Sequence, residues 1–149
     1  MLQLRNMGIY TEMKERHQAE VNAFPLHFAF GDAQIDAKLK ELGLTRKNYQ
    51  NHIVVVFHGC FILKKDKEAY YEMFRRHAQE RAAAMEADVD GSGYLYEMFK
   101  TELCNHEYGY TGDVTDTLMA LGLNARDIAE KPTFKAALER AAGEILRGA

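Results

Sequence analysis

The 149-residue chain holds only 2 prolines and 2 cysteines, has no marked excess of either charge, and contains no long apolar run. Each shortage excludes something. No window approaches the roughly 18 apolar residues of a membrane span, and Met1 to Tyr10 carries one arginine with scattered apolar residues where a signal peptide would have a continuous apolar core, so the expected location is the cytoplasm. Two cysteines cannot form a disulfide framework, and in a reducing compartment they serve as thiols or metal ligands. The 19 Lys and Arg residues face 22 Asp and Glu, a formal charge of -3. Binding to a phosphate backbone needs a strong cationic surplus, and an acidic mimic of DNA needs many more uncompensated carboxylates, so no direct nucleic-acid contact is expected. Repeats, linkers and low-complexity tracts are absent. So are a nucleophile elbow, a phosphate-binding glycine loop, a dinucleotide fingerprint and a zinc-protease helix motif.

What is present is a chain that is 47% apolar and 28% charged, enough to bury one sizeable core. Residues 1–149 read as a single globular domain of α+β class, mostly helical, with about five to seven helices around a short β-hairpin or bent strand. Thr11 is an N-cap for a helix running to about Phe24 and ended by Pro25. Asp32 caps a helix through Leu42, with Gly43 as its left-handed terminator. The period then changes. Ile53 to Phe57 is β-branched and aromatic and Phe61 to Leu63 resumes the pattern, leaving His58-Gly59-Cys60 between them as a turn, bulge or continuation. Asp66 caps a long helix, roughly Lys67 to Glu86, and a glycine-containing break from Asp88 to Gly93 stops it. A helix from Tyr94 to Cys104 should pack back on that long helix. Asp113 caps Val114 to Ala120 with Gly122 as terminator, and Pro132 opens the last helix.

Both cysteines have a histidine two positions away: His58-Gly59-Cys60 and Cys104-Asn105-His106. Two thiolates and two imidazoles suit tetrahedral zinc and offset its charge, so these four residues are the expected ligands of a closed, structural site. His58 and Cys60 converge if they alternate along a strand. Cys104 and His106 cannot do so on a continuous helix, which must therefore end or unwind between them. His77, His52 and Glu107 are the substitutes should one of the four fall out. The alternative is that both cysteines are small core residues and both histidines bond locally. Asp88-Val89-Asp90-Gly91-Ser92-Gly93 opens like a calcium-binding EF-hand loop, but its twelfth position is Phe99 where a bidentate Glu is required, so the segment reads as an interhelical turn. A cysteine nucleophile beside His58 or His106, oriented by Asp113, Asp116 or Glu107, is the enzymatic competitor. With no catalytic motif to support it, the expectation is that the protein is not an enzyme. Tyr70, Tyr71, Tyr94, Tyr96, Tyr108 and Tyr110 cannot all lie on one helix face, so some reach the surface, where tyrosine is an effective interface residue. Arg75, Arg76 and Arg81 read as a solvated helix face.

The stretches Glu20 to Phe30, Glu102 to Tyr108, Asp113-Val114 and Leu118 to Leu123 resemble a family of small phage and mobile-element proteins of unassigned function, over most of the chain. Around His58 to Cys60, where many members of that family have glycines, and at Cys104, where they have a small residue, this sequence departs from the pattern. In size and character the chain is also similar to anti-CRISPR proteins. That resemblance implies a zinc-containing inhibitor acting in the bacterial cytoplasm. It would bind the type II RNA-guided nuclease stoichiometrically and block DNA loading or conformational activation, without chemistry of its own. A zinc- or cysteine-dependent hydrolase and a phage accessory protein with another host target are the alternatives.

Overall fold

Helix ends in this chain are set by a few identifiable residues. The computed structural model describes residues 8–148, so the reading of Met1 to Met7 as free of a leader lies outside the described residues. The helices are α1 (Ile9–Ala23), α2 (Asp32–Glu41), α3 (Lys67–Ala87), α4 (Tyr94–Asn105), α5 (Tyr108–Thr111), α6 (Thr115–Ala120), α7 (Ala125–Glu130) and α8 (Pro132–Gly148). Strands β1 (His27–Phe28), β2 (Ile53–Phe57) and β3 (Cys60–Leu63) form one antiparallel sheet in the order β1-β3-β2. The class is α+β and mostly helical, as expected; the eight α-helices among the described residues exceed the expected count through short elements such as α5 and α7. Among the described residues no helix is long and apolar enough to cross a membrane. The chain divides into two compact units: residues 17–79, and residues up to 16 together with 80–149. Helices α1 and α3 contribute residues to both.

The larger unit is helical, and its core is built on α4. Leu95, Met98, Phe99 and Leu103 recur at helical spacing and are fully buried. They pack with Phe134, Ala137, Leu138 and Ala141 of α8, and the Phe99 and Phe134 rings meet edge-on at 6.4 Å. The main partner of α4 is therefore α8, where the sequence suggested the long helix; α3 adds only partly buried Ala84 and Met85 to this core. Helix α1 starts two residues before the expected Thr11 cap, because its free amides are satisfied from elsewhere. The Glu97 carboxylate accepts from Tyr10 N at 3.2 Å, Thr11 N at 2.9 Å and the Thr11 hydroxyl at 3.0 Å. A Cβ at Gly8 would lie 2.1 Å from Glu97 Oε1, so the glycine admits the capping carboxylate.

The other turns of this unit follow the same logic. Asp88 accepts from Gly93 N and Leu95 N at the start of α4, while Asp90 accepts from the Ser92 amide and hydroxyl. The two aspartates thus close the interhelical turn read from the sequence. Asn124 and Asp127 form a reciprocal capping box on α7, a helix the sequence pattern did not suggest. Asp113 accepts from the Thr115 amide and hydroxyl, so it leads α6 one residue later than expected.

In the unit of residues 17–79 the sheet is central. β2 and β3 pair as a hairpin with His58 and Gly59 as its two-residue turn, Gly59 having φ +77°. Phe57 pairs with Cys60 while Val55 pairs with Phe61, so the ladder bulges at Val56. β1, missed in the sequence, pairs His27 with Phe61 and Phe28 with Cys60. Two expected caps move. Gly31 with φ +87° precedes α2 and Asp32 is the first helical residue, where its charge favours the helix dipole; Asp66 closes a 3-10 turn, Lys64–Asp66, ahead of α3. Gly43, with φ +73°, terminates α2 as expected.

Candidate functional site: an aromatic groove beside the hairpin

The four expected zinc ligands fall two to each unit: His58 and Cys60 in residues 17–79, Cys104 and His106 in the other. His58 occupies the hairpin turn and is exposed, while Cys60 is on β3 and buried, so strand alternation does not align this pair. Burial pushes the Cys60 thiol up, away from the thiolate that a metal or a nucleophilic reaction needs. The other demand of the zinc reading is met. α4 ends at Asn105, His106 is its C-terminal cap, and Glu107 turns the chain with φ +58°. Cys104 is exposed. Among the described residues no group of three or more His, Cys, Asp or Glu side chains is placed to hold a metal ion. The quartet stands on donor type and spacing alone.

What the smaller unit does assemble is an apolar groove. Directly paired residues share a face of a sheet, so Val55, Phe61 and His27 lie on one side. A cavity of about 350 Å3 opens there, walled by Ile53, Val55 and Phe61 of the sheet, Ile35 of α2, Tyr49, and Phe30 after β1. The Phe30 wall is held by a close approach. A Cβ at Gly59 would lie 2.0 Å from Phe30 Cε1, so only glycine lets the ring cover the hairpin turn. Phe28, Phe30, Val55 and Phe57 are each more than half exposed, and the Phe28 and Phe57 rings are 6.3 Å apart. Among the described residues lining the cavity there is no carboxylate, lysine or arginine; Tyr49 and His58 supply the ring polarity. Such a lining can hold an apolar group, with the His58 and Tyr49 rings as its polar elements.

Two features near the groove were not singled out from the sequence. His27 stacks on Phe61 at 5.3 Å, and its buried Nε2 has no hydrogen-bond partner among the described residues. Burial, then the positive charge of Lys38, pushes its pKa down, so this ring stays neutral. Phe28 and Phe30 flank the small Ala29 after Pro25, an alternating pattern that signals a short edge strand. Deeper in the same unit, the His17 and His77 rings stack at 3.9 Å, and His77 Nε2 lies 2.8 Å from Glu20 Oε1. Arg76 donates to the other Glu20 oxygen at 2.7 Å, and these two partners lower the Glu20 pKa to about 2.

Among the described residues of the larger unit one buried residue is ionic, Glu102, which takes hydrogen bonds from Lys14 Nζ at 2.8 Å and Asn105 Nδ2 at 2.7 Å. Burial alone would raise this carboxyl, and the bonds from Lys14 and Asn105 override that and bring it below its usual range. Tyr10 is pushed up, by burial first and then by the Glu102 charge. The arrangement satisfies its members mutually, as a structural network does.

Residues 9–144 match the model of a family of unknown function, DUF7659. The chain belongs to that family. No curated protein and no solved structure matches it. Membership in the family agrees with the unassigned-function group that the sequence resembles, and carries no activity with it.

Proposed function

We propose that the protein acts by binding another protein stoichiometrically through the groove of residues 17–79, as an interaction module and not as a catalyst. The observation that carries this reading is an apolar cavity walled by Phe30 and Val55, both more than half exposed, on a sheet that also exposes the neighbouring rings of Phe28 and Phe57. Burying such surface on folding would stabilise the chain, so its retention as a patch marks a site that another molecule covers. Aromatic anchors of this kind dominate protein interfaces. The burial of Cys60 works against the hydrolase alternative.

The partner in this proposal is the type II RNA-guided CRISPR nuclease, met in the cytoplasm of a bacterial host and blocked before DNA loading or activation. Support for that choice comes from the resemblance of residues 20–30 and 102–108 to mobile-element proteins, and from the near-neutral charge, which favours a protein lobe over the DNA track. Structural zinc enters by donor type alone. Elemental analysis of protein purified without chelator should return about one zinc per chain, and a value near zero removes the metal without touching the groove.

Titration of the chain into a fixed amount of nuclease–guide complex tests the reading. DNA cleavage should stop at about one chain per nuclease, with guide, DNA and nuclease chemically intact. Inhibition at a small fraction of an equivalent, with an altered product, would show turnover and contradict the binding mechanism. Uninhibited cleavage at excess chain would remove the nuclease as partner, and a pull-down from host lysate would then identify another host target.

A further inference from the structure

We infer that the groove receives an extended peptide segment that adds a strand to the free edge of β2, with apolar residues at alternate positions and acidic residues toward its C-terminal end. The inference deepens the protein-binding reading above and rests on it. In the order β1-β3-β2, β2 has no strand on its outer side among the described residues. Lys64 N donates to His52 O at 2.7 Å, which makes His52–Lys64 a hydrogen-bonded pair of the ladder. Antiparallel pairs alternate, so Ile53 and Val55, opposite Leu63 and Phe61, direct their N–H and C=O groups away from β3. An incoming strand would find its main-chain partners at these two residues, and their side chains also line the cavity. Main-chain bonds along the edge and an apolar side chain in the adjoining cavity are the two components of strand addition.

Charge bears on the chemistry of the occupant, taken as antiparallel like the other pairs of this sheet. Lys47, Lys64 and Lys65 are exposed and make no ion pair among the described residues, whereas neighbouring Arg46 is tied to Asp36 at 2.6 Å and to Asp32. Lys64 is paired beside Ile53, at the N-terminal end of β2. A strand added antiparallel to β2 ends its own run at that end of the ladder, so carboxylates following its apolar residues fall toward the end where Lys64 lies. A second copy of this chain fits less well. The bulge at Val56 limits regular pairing to the first part of a five-residue edge, a device that disfavours edge-to-edge association.

Selection from a phage-displayed library of random dodecapeptides on the immobilised full chain tests the inference. The enriched sequences should alternate apolar residues ahead of Asp or Glu. Synthetic versions should bind the Lys64→Glu, Lys65→Glu double variant about tenfold more weakly than the wild type, and Val55→Asp equally poorly. Both changes are at exposed positions, and circular dichroism verifies that the variants fold. Absence of enrichment, enrichment of basic peptides, or peptides that bind Val55→Asp as well as the wild type would overturn it. A dimer that Val55→Asp abolishes, with no peptide selected, would assign the edge to a second copy and overturn it too. Nuclease inhibition without peptide selection would refute strand addition alone; peptide selection without nuclease binding would refute only the choice of nuclease.

Discussion

Gly59 is where the local chemistry of the chain and the shape of its groove meet. Its φ of +77° suits glycine, and a Cβ there would collide with Phe30 at 2.0 Å. Gly59→Ala is expected to lose about 1–3 kcal/mol in urea unfolding through backbone strain and displacement of the ring. Adding Phe30→Ala should recover part of that loss, since it removes the collision and leaves the strain; equal losses in the single and double variants would show that the ring was never the obstacle. His27 makes a second residue-scale prediction. Burial lowers its folded pKa below the ordinary 6.5, so the unfolded chain binds the proton first. Its contribution is therefore complete above pH 6.5 and is lost as the pH falls through the depressed folded value. Glu20, lowered from 4.5 to about 2, adds a further loss across that lower range. The stability profile should fall in two stages on acidification, and His27→Phe should remove the upper stage alone. A profile unchanged by His27→Phe would contradict the assignment.

At the scale of elements, the caps decide which sequence signals were readable. Gly43, Gly122 and Pro132 act at the positions where their backbone chemistry placed them. Thr11 did not, because the carboxylate serving the first turn of α1 comes from Glu97, 86 residues away, and no local pattern reveals such a partner. Glu97→Ala should cost about 1 kcal/mol with early fraying of α1, read by amide exchange at Tyr10 and Thr11; unchanged exchange there would remove Glu97 as the cap. The α4–α8 interface was also only half legible. The apolar spacing of both helices was plain, but which amphipathic helix faces which is settled in three dimensions. Phe99, fully buried between them, should lose about 3–5 kcal/mol on truncation to Ala. β1 escaped detection because two residues form no period, even though Phe28 and Phe30 follow the alternation of an edge strand.

For the molecule as a whole, the sequence led to the helical α+β class and drew attention to the cysteines, whereas the fold draws it to the aromatics. The paired spacing of histidine and cysteine is a one-dimensional signal, and the hairpin turn sends His58 outward while Cys60 is buried. The groove has no motif. Its walls come from Phe30, Ile35, Tyr49 and the β2–β3 hairpin, segments that only the sheet brings together. Residues 17–79 also carry a slight basic excess in a chain that is acidic overall, which suits an acidic partner segment. The central claim is that this groove binds and performs no chemistry. Calorimetric titration of the nuclease–guide complex with the wild type and with Phe30→Asp, a change at an exposed ring that walls the groove, addresses it most directly. The account predicts one chain per complex for the wild type and an affinity about thirtyfold or more lower for the variant, a loss of roughly 2 kcal/mol appropriate to a central aromatic anchor. Equal affinities for the two proteins, or heat that continues with product formation after saturation, would contradict it.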